Sequence, residues 1–540
     1  MELMCVTISE LTKRNAELYP CDIAYIFDER KYTWEEVEGI TDWLAVDMLN
    51  KGIRKGTHVG LWAVNSVQLV MHLFAAQKIG AIPSVFNYSY KALEMQSVLS
   101  YADIEYLYIG EEKSGMDYWK TLEEIRETLP CLKAAFDMLE SMGKADAIRR
   151  SQGLVTGETA ALLTEKKAQV TTDDTCCLMF TSGTTRRPKG VLLSYFSVLN
   201  DANELVRLLR WKHGEDIFLA AMPMFHCSGL TCGLMLALCA GIPMIIHRIF
   251  NAERAMQDIE KYKVTAFNVV PSMLMLMVQN RSFGKYDISS YRSGTSAGSG
   301  FSPEDYRKII RKIGVRHLQM GYGQTETSPL VTFSLYDDGV ALKSETIGKE
   351  IPNMEVRIWN LQDGRLAETD EHGEIQVKGF AVMKGYYKLE EESRKAFTPD
   401  GWLRTGDLGF RDADGYFHFV ARMGDMIIRG GENIAPSEIE CVIGHYSGDL
   451  AGVKVVGVPV NDVVQEEIVA FVVMKKPMTA DPEDIRRFVK SRLANYKAPK
   501  YVFQIDSFPM TGSGKADLSA LKRLGAEKIE VLQKRAICKT

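Results

Sequence analysis

The chain is short of several things, and each shortage removes a class of function. Its 540 residues carry 65 Lys and Arg against 70 Asp and Glu, a formal net charge of -5. Without a basic excess there is no overall electrostatic footprint for nucleic acid or an anionic membrane, so any cationic site must be local. The ten cysteines include one adjacent pair, Cys176 and Cys177, and no C-x-x-C pair or Cys/His cluster with metal-ligand spacing. Reduced thiols in a cytoplasmic protein are expected, not a disulfide framework or a zinc site. The start, MELMCVTISELTKRN, has an acid at position 2 and no apolar stretch of signal-peptide type. Internal repeats and low-complexity runs are missing too.

One segment lacks charge entirely. From Ile217 to His247 there is no Asp, Glu, Lys or Arg, and Cys227 to Ile246 is long enough to cross a bilayer. His226, Gly229, Gly233, Gly241 and Pro243 interrupt it, and it divides into a helical GLTCGLMLALCAG and a strand-like IPMIIH. A buried helix-strand unit is the expected reading.

What is present fits a globular protein of two or more domains: 46% hydrophobic and 25% charged residues over a length beyond one ordinary core. HVGLWAV, AIPSVFN and IEYLYIG read as strands, with a helix, NSVQLVMHLFAAQKIG, after the first. This rhythm predicts parallel α/β structure. The rhythm returns at KVTAFNVV and VRHLQMG, around a helix opening on SPED, where Ser302 caps and Pro303 takes the first turn. After about residue 335 the texture changes to short strands and Gly/Asp turns, as in EVRIWNLQDGRL and DADGYFHFVARMGD, which suggests a small antiparallel sheet or barrel. GVKVVGVPV, EEIVAFVVMK and the helix DPEDIRRFVKSRL, with Ile485, Phe488, Val489 and Leu493 on one face, then close the chain as a small α+β domain.

The predicted fold is therefore α/β: a large N-terminal domain of α/β subdomains with a small β-barrel-like subdomain, and a small, mobile α+β C-terminal domain. The joint is expected in ARMGDMI, giving domains 1–421 and 422–540.

The densest chemistry lies in TSGTTRRPKG, Thr181 to Gly190. Glycines, hydroxyls and a lysine in one loop can direct backbone N–H groups, O–H donors and an ammonium at one polyanion. It is not a Walker A loop, because the fifth residue after Gly183 is Pro188 and Lys189 is followed by Gly190. The competing reading is a polar surface loop between CCLMF and VLLSY.

FTSGTTRRPKGV closely resembles the phosphate loop of the adenylate-forming enzymes, the superfamily of acyl-CoA synthetases, aryl-acid ligases, luciferases and peptide-synthetase adenylation domains. PMFHCSG, QMGYGQTETSP, WLRTGDLG, ARMGDMIIRGGENIAPSEIE and PMTGSGK resemble its other motifs, in order, over most of the chain. The resemblance implies a two-step ligase: a carboxylate attacks the α-phosphate of ATP to give acyl-adenylate and pyrophosphate, and a thiol then displaces AMP. Positioning and cations carry such chemistry.

By the same resemblance, Thr181, Ser182, Gly183, Thr184, Thr185 and Lys189 cradle the β- and γ-phosphates. Tyr322 stacks on adenine, with Gly298 and Gly323 also at the nucleotide, Thr325 bonds the α-phosphate and Glu326 ligates Mg²⁺. Asp407 accepts both ribose hydroxyls and Arg422 approaches the ribose. Lys515 bridges substrate carboxylate and α-phosphate during adenylation. The family's hinge position is Gly424, where Asp or Lys is common. Arg186 replaces a common glycine, Ala297 stands where a Gly-Gly-Ala motif begins, and Asp517 where a basic residue is common. Read without the resemblance, these side chains are a rim aromatic, solvated charges and turn formers.

His226, Cys227, Gly229 and Met320 would line the acid pocket. The absence of Asp and Glu from Ile217 to Phe250 disfavours an amino-acid substrate, and Cys227 is not the Asn of 2-hydroxybenzoate ligases. An uncharged aliphatic or simple aromatic acid is expected. Gly430 and Gly431 would flank the pantetheine channel, with CoA the first acceptor and a carrier-protein phosphopantetheine arm the alternative. Two rivals remain: a catalytically silent nucleotide-binding protein, and a serine hydrolase using Ser296, since Gly294 to Gly298 satisfies G-x-S-x-G, with His317, His372, His418 and His445 downstream.

Overall fold

The structure is a computed structural model that describes residues 2–181, 188–297, 303–429, 432–447, 449–461, 465–475, 479–511 and 516–537. It divides into two compact units, a larger one of Met1–Arg357 with Gln376–Leu403 and a smaller one of Ile358–Ile375 with Arg404–Thr540.

In the larger unit a nine-stranded sheet runs in the order Lys349–Glu350, Thr332–Phe333, His317–Tyr322, Ser293–Ser296, Ala266–Phe267, Phe218–Ala220, Met244–Ile246, Ile23–Phe27, Arg30–Thr33. From His317–Tyr322 to Ile23–Phe27 every neighbour is parallel. A second sheet, ordered Ile82–Phe86, His58–Trp62, Tyr106–Ile109, Ala134–Asp137, is parallel throughout. The expected alternation is present. Strand His58–Trp62 leads through Ser66, whose hydroxyl accepts from the Leu69 N–H, into helix Val67–Lys78 and on to strand Ile82–Phe86. Val59, Leu61 and Trp62 are all fully buried, as strands covered on both faces require.

The charge-free stretch folds as a buried helix and strand. Cys227–Gly229 is α-helical, Leu230–Met235 is a π-helix, and Leu236–Ala240 is α-helical again. Gly241 stops it in the left-handed region at φ 67°, which costs a residue without Cβ nothing, and strand Met244–Ile246 follows. No helix among the described residues is long and apolar enough to cross a membrane.

A third, three-stranded sheet, ordered Gly385–Tyr386, Lys189–Ser194, Thr175–Thr181, is antiparallel. It closes the phosphate-loop hairpin by pairing Thr181 with Lys189.

In the smaller unit, Leu403–Arg411 pairs antiparallel with Phe417–Arg422. Its C-terminal part is a sheet in which Gln465–Met474 pairs antiparallel with Leu450–Asn461 and parallel with Tyr501–Gln504. Period-two alternation sends Ile468, Ala470 and Val472 into one core with Ile439, Ile485 and Val489, and Val469 and Phe471 into another with Leu521 and Ile529. Helices cover both faces; Ile485 and Val489 are fully buried, as the helical spacing predicts, whereas Phe488 is half-buried and helix Pro482–Lys490 ends before Leu493, which packs half-buried beside the core.

Candidate active site

In the larger unit, His226 and Gly323 to Glu326 lie beyond the carboxyl ends of parallel strands, where open α/β sheets bind ligands. Met320 and Tyr322 lie on the last such strand, and Thr181 and Lys189 face each other in the antiparallel hairpin. Strand Phe218–Ala220 delivers the loop to His226, and strand His317–Tyr322 delivers Gly323 to Glu326. His226 precedes the first turn of the buried helix; its N–H donates to Pro223 O at 3.1 Å, and its ring lies 4.4 Å from that of Phe225. Gly229 is required here, because a Cβ would lie 2.1 Å from the Pro223 carbonyl oxygen. Gly323 is constrained in the same way: a Cβ would meet Pro329 O at 1.8 Å.

Beyond Gly323 the chain forms a 3₁₀ turn over Thr325–Thr327. The Thr327 hydroxyl holds it by donating to Gln324 O and Pro329 O, both at 2.9 Å. This turn presents Thr325 and Glu326, both half-buried. Cys227 Sγ lies 3.7 Å from Thr325 Oγ1, so the expected acid pocket and the expected α-phosphate residue meet. Tyr322 is buried, and the Met320 N–H donates to Ser334 Oγ at 2.9 Å.

The contact that sequence reasoning missed is Tyr386. Its hydroxyl donates to Glu326 Oε1 at 2.9 Å, while Lys189 Nζ sits 4.7 Å from the centroid of its ring. Strand pairing fixes this: Gly385 and Tyr386 pair with Leu192 and Val191, a few residues along from Lys189. Burial first, then the Glu326 charge and the hydrogen bond to it, push the Tyr386 phenol far above its ordinary value, so it stays a neutral donor. A carboxylate and an ammonium thus share one aromatic residue between them. The available signal was Gly-Tyr-Tyr in MKGYYK, which no short motif separates from an ordinary turn.

In the smaller unit, Asp407 and Arg422 stand opposite each other across the antiparallel pair, with Arg422 Nε 3.2 Å from Asp407 Oδ1. Asp407 is 2% exposed while the arginine side chain is 54% exposed. Thr405 braces the turn before it, accepting from the Asp407 N–H at 3.1 Å and donating to Ile375 O at 2.6 Å. Two residues assigned separately to the ribose are therefore adjacent. Gly424 lies in an exposed 3₁₀ turn, Met423–Asp425. Ser182, Gly183, Thr184, Thr185, Arg186, Gly298, Ser302, Gly430, Gly431 and Lys515 lie outside the described residues.

The hydrolase alternative needs correction. A nucleophile elbow exposes its serine at a sharp turn, whereas Ser296 ends a strand and is 0% exposed. His317 is engaged elsewhere, its Nδ1 lying 3.3 Å from Tyr336 O.

The AMP-binding enzyme family matches residues 12–387, and the AMP-binding enzyme C-terminal domain matches residues 438–515. The chain belongs to the AMP-binding enzymes. Among curated relatives, Bacillus subtilis YngI, whose name assigns it to the acyl-CoA synthetases, is 34% identical over 95% of this chain and 96% of its own. The human mitochondrial medium-chain acyl-CoA ligase ACSF2 is 30% identical over 91% of this chain and 83% of its own. Among solved structures, Bacillus subtilis o-succinylbenzoate CoA synthetase (MenE) with its acyl-adenylate matches with TM-score 0.80 and 27% identity, covering 96% of this chain and 99% of that one. ATP-bound MatB from Rhodopseudomonas palustris matches with TM-score 0.84 at 24% identity, covering 96% and 99%, a likeness of fold. This AMP-binding enzyme is an AMP-forming acid–thiol ligase of acyl-CoA synthetase type that takes ATP and a small-molecule carboxylic acid.

Proposed function

We propose that the acid is uncharged along its tail, aliphatic or simple aromatic, and that it is activated on the loops bearing His226 and Thr325. The observation that carries this reading is the 3.7 Å approach of Cys227 Sγ to Thr325 Oγ1, which puts a small apolar wall beside the residue expected at the α-phosphate. The Ile217 to Phe250 segment has no Asp or Glu and so provides no carboxylate for an α-ammonium. The medium-chain ligase names among the relatives favour an aliphatic chain.

In the first step a carboxylate oxygen forms a bond to the α-phosphorus and the bond to the β-phosphate oxygen breaks, releasing pyrophosphate. Thr181 and Lys189, paired at the mouth of the hairpin, hold the leaving phosphates together with Ser182, Gly183, Thr184 and Thr185. Tyr322, Gly298 and Gly323 take the adenine side, Thr325 the α-phosphate, and Asp407 with Arg422 the ribose. Lys515 places a positive charge where negative charge develops between carboxylate and phosphate.

Magnesium bound with ATP draws on one or two protein carboxylates and otherwise on phosphate oxygens and water. Glu326, aimed by Tyr386, fits that need, and no cluster of three or more His, Cys, Asp or Glu among the described residues offers an all-protein cage. The cation would neutralise phosphate charge. In the second step the thiol sulfur bonds to the acyl carbon, the bond to the AMP oxygen breaks, and the thiol proton leaves with AMP or solvent. Rotation about Gly424 between the steps would bring Gly430 and Gly431 to the pantetheine, with 1–421 and 422–540 as the moving bodies.

CoA is the acceptor in this reading and a carrier-protein phosphopantetheine arm the alternative. The nine described cysteines are all free thiols, which supports a cytoplasmic location. A panel of C4 to C16 fatty acids, benzoates and amino acids, each assayed with CoA and with a holo carrier protein, tests the proposal. Thioester on CoA from uncharged acids is expected; turnover confined to amino acids, or to the carrier protein, would overturn it.

A further inference from the structure

Asn65 lies in the segment that follows strand His58–Trp62, remote in sequence from every candidate site residue, and is 1% exposed. Its side chain is fully used on the approach to His226. Nδ2 donates to Met222 O at 2.9 Å and to His247 O at 3.2 Å, and Oδ1 accepts from the Met224 N–H at 2.9 Å. The two acceptors and the one donor around it admit a single orientation of the amide. Met222 and Met224 flank Pro223, the residue whose carbonyl accepts from His226 N–H and abuts Gly229. His247 directly follows strand Met244–Ile246, so one amide ties together the carboxyl ends of three strands from two sheets.

We infer that Asn65 is a positioning residue for the activation reaction: it sets where the Met222–Phe225 loop holds His226 against the acid. The inference rests on His226 being a wall of that site. Alanine at 65 would leave a buried N–H and two carbonyls without their side-chain partner, and the loop would move to recover bonds elsewhere. A displacement of about 1 Å at a reacting geometry costs about 100-fold in rate.

The experiment is a double-mutant cycle on the full chain with Asn65→Ala, His226→Ala and the pair, measuring adenylation and thioester formation separately and KM for ATP. Asn65→Ala should slow the half-reaction that His226→Ala slows, by about 10- to 100-fold, with KM for ATP unchanged. The pair should be no slower than His226→Ala alone. Multiplying losses, or equal loss in both half-reactions with a raised KM for ATP, would show that Asn65 acts on general stability and overturn the inference alone. A silent His226→Ala would remove the reading of His226 and the inference with it. Should Asn65→Ala fail to fold, Asn65→Asp, which keeps the acceptor for Met224 and loses both donors, runs the same cycle with the same outcomes.

Discussion

Replacing Tyr386 with phenylalanine removes one atom from the site and leaves the ring under Lys189. That atom donates to Glu326 Oε1 at 2.9 Å, and both side chains are half-buried. A hydrogen bond to a charged group contributes about 1.5–3 kcal/mol, and outer partners of metal-binding carboxylates govern about 10- to 100-fold in metal affinity. The two magnitudes agree. Tyr386→Phe should therefore raise the Mg²⁺ concentration for half-maximal ATP/pyrophosphate exchange by about 10- to 100-fold, with Mg²⁺-dependent ATP binding by calorimetry weakened in parallel. Tyr386→Leu also strips the ring from Lys189, at 4.7 Å from its centroid. A partly exposed cation–π contact is worth about 0.5–1 kcal/mol, a further factor of about two to five in ATP affinity. An unchanged Mg²⁺ requirement in Tyr386→Phe would refute the reasoning, for then Glu326 either needs no aiming or does not meet the cation.

Three other perturbations separate parts of the account. Lys515→Ala should slow adenylation by about 10²- to 10³-fold while thioester formation from preformed acyl-adenylate survives; equal loss of both steps would remove its assigned role. Gly229→Ala forces a Cβ to within 2.1 Å of the Pro223 carbonyl oxygen. Overpacking of this kind costs about 1–3 kcal/mol, so a lower melting temperature and a raised KM for the acid, with KM for ATP unmoved, are expected. His72 is fully buried, its Nδ1 2.8 Å from Gln68 O, and burial pushes its pKa down from 6.5 to about 4. The unfolded chain takes up that proton below about pH 6.5 and the native state only near pH 4, so stability falls as pH drops through that window, by at most about 3 kcal/mol. His72→Leu should flatten the fall in melting temperature between pH 6.5 and 4; an identical slope in variant and parent would contradict it.

Sequence revealed the fold best where pattern and burial coincide. HVGLWAV and IEYLYIG became parallel strands whose apolar residues are buried because their runs are covered on both faces. KVTAFNVV promised a longer strand than Ala266–Phe267. Asn268 diverts the chain there by donating to Cys232 O at 2.5 Å and accepting from Thr295 N–H at 2.8 Å, and Pro271 then opens helix Pro271–Gln279. The π-helix Leu230–Met235 was invisible because its apolar pattern is that of any buried helix.

The site was legible as separate motifs, since each motif names its own residues. What joins them was not. Tyr386 and Glu326 are 60 residues apart, Asn65 and Met222 157, and no local pattern encodes such a pairing. Asp407 and Arg422 came closest to being readable, because a turn between two short strands already implies that they face each other.

Acid activation by adenylate formation is tested most directly by acid-dependent exchange of labelled pyrophosphate into ATP, with AMP followed as product once CoA is added. Exchange should occur only when a carboxylic acid with an uncharged tail is present, with one AMP for each acyl-CoA formed. Exchange independent of acid, no exchange with any acid, or ADP in place of AMP would contradict it.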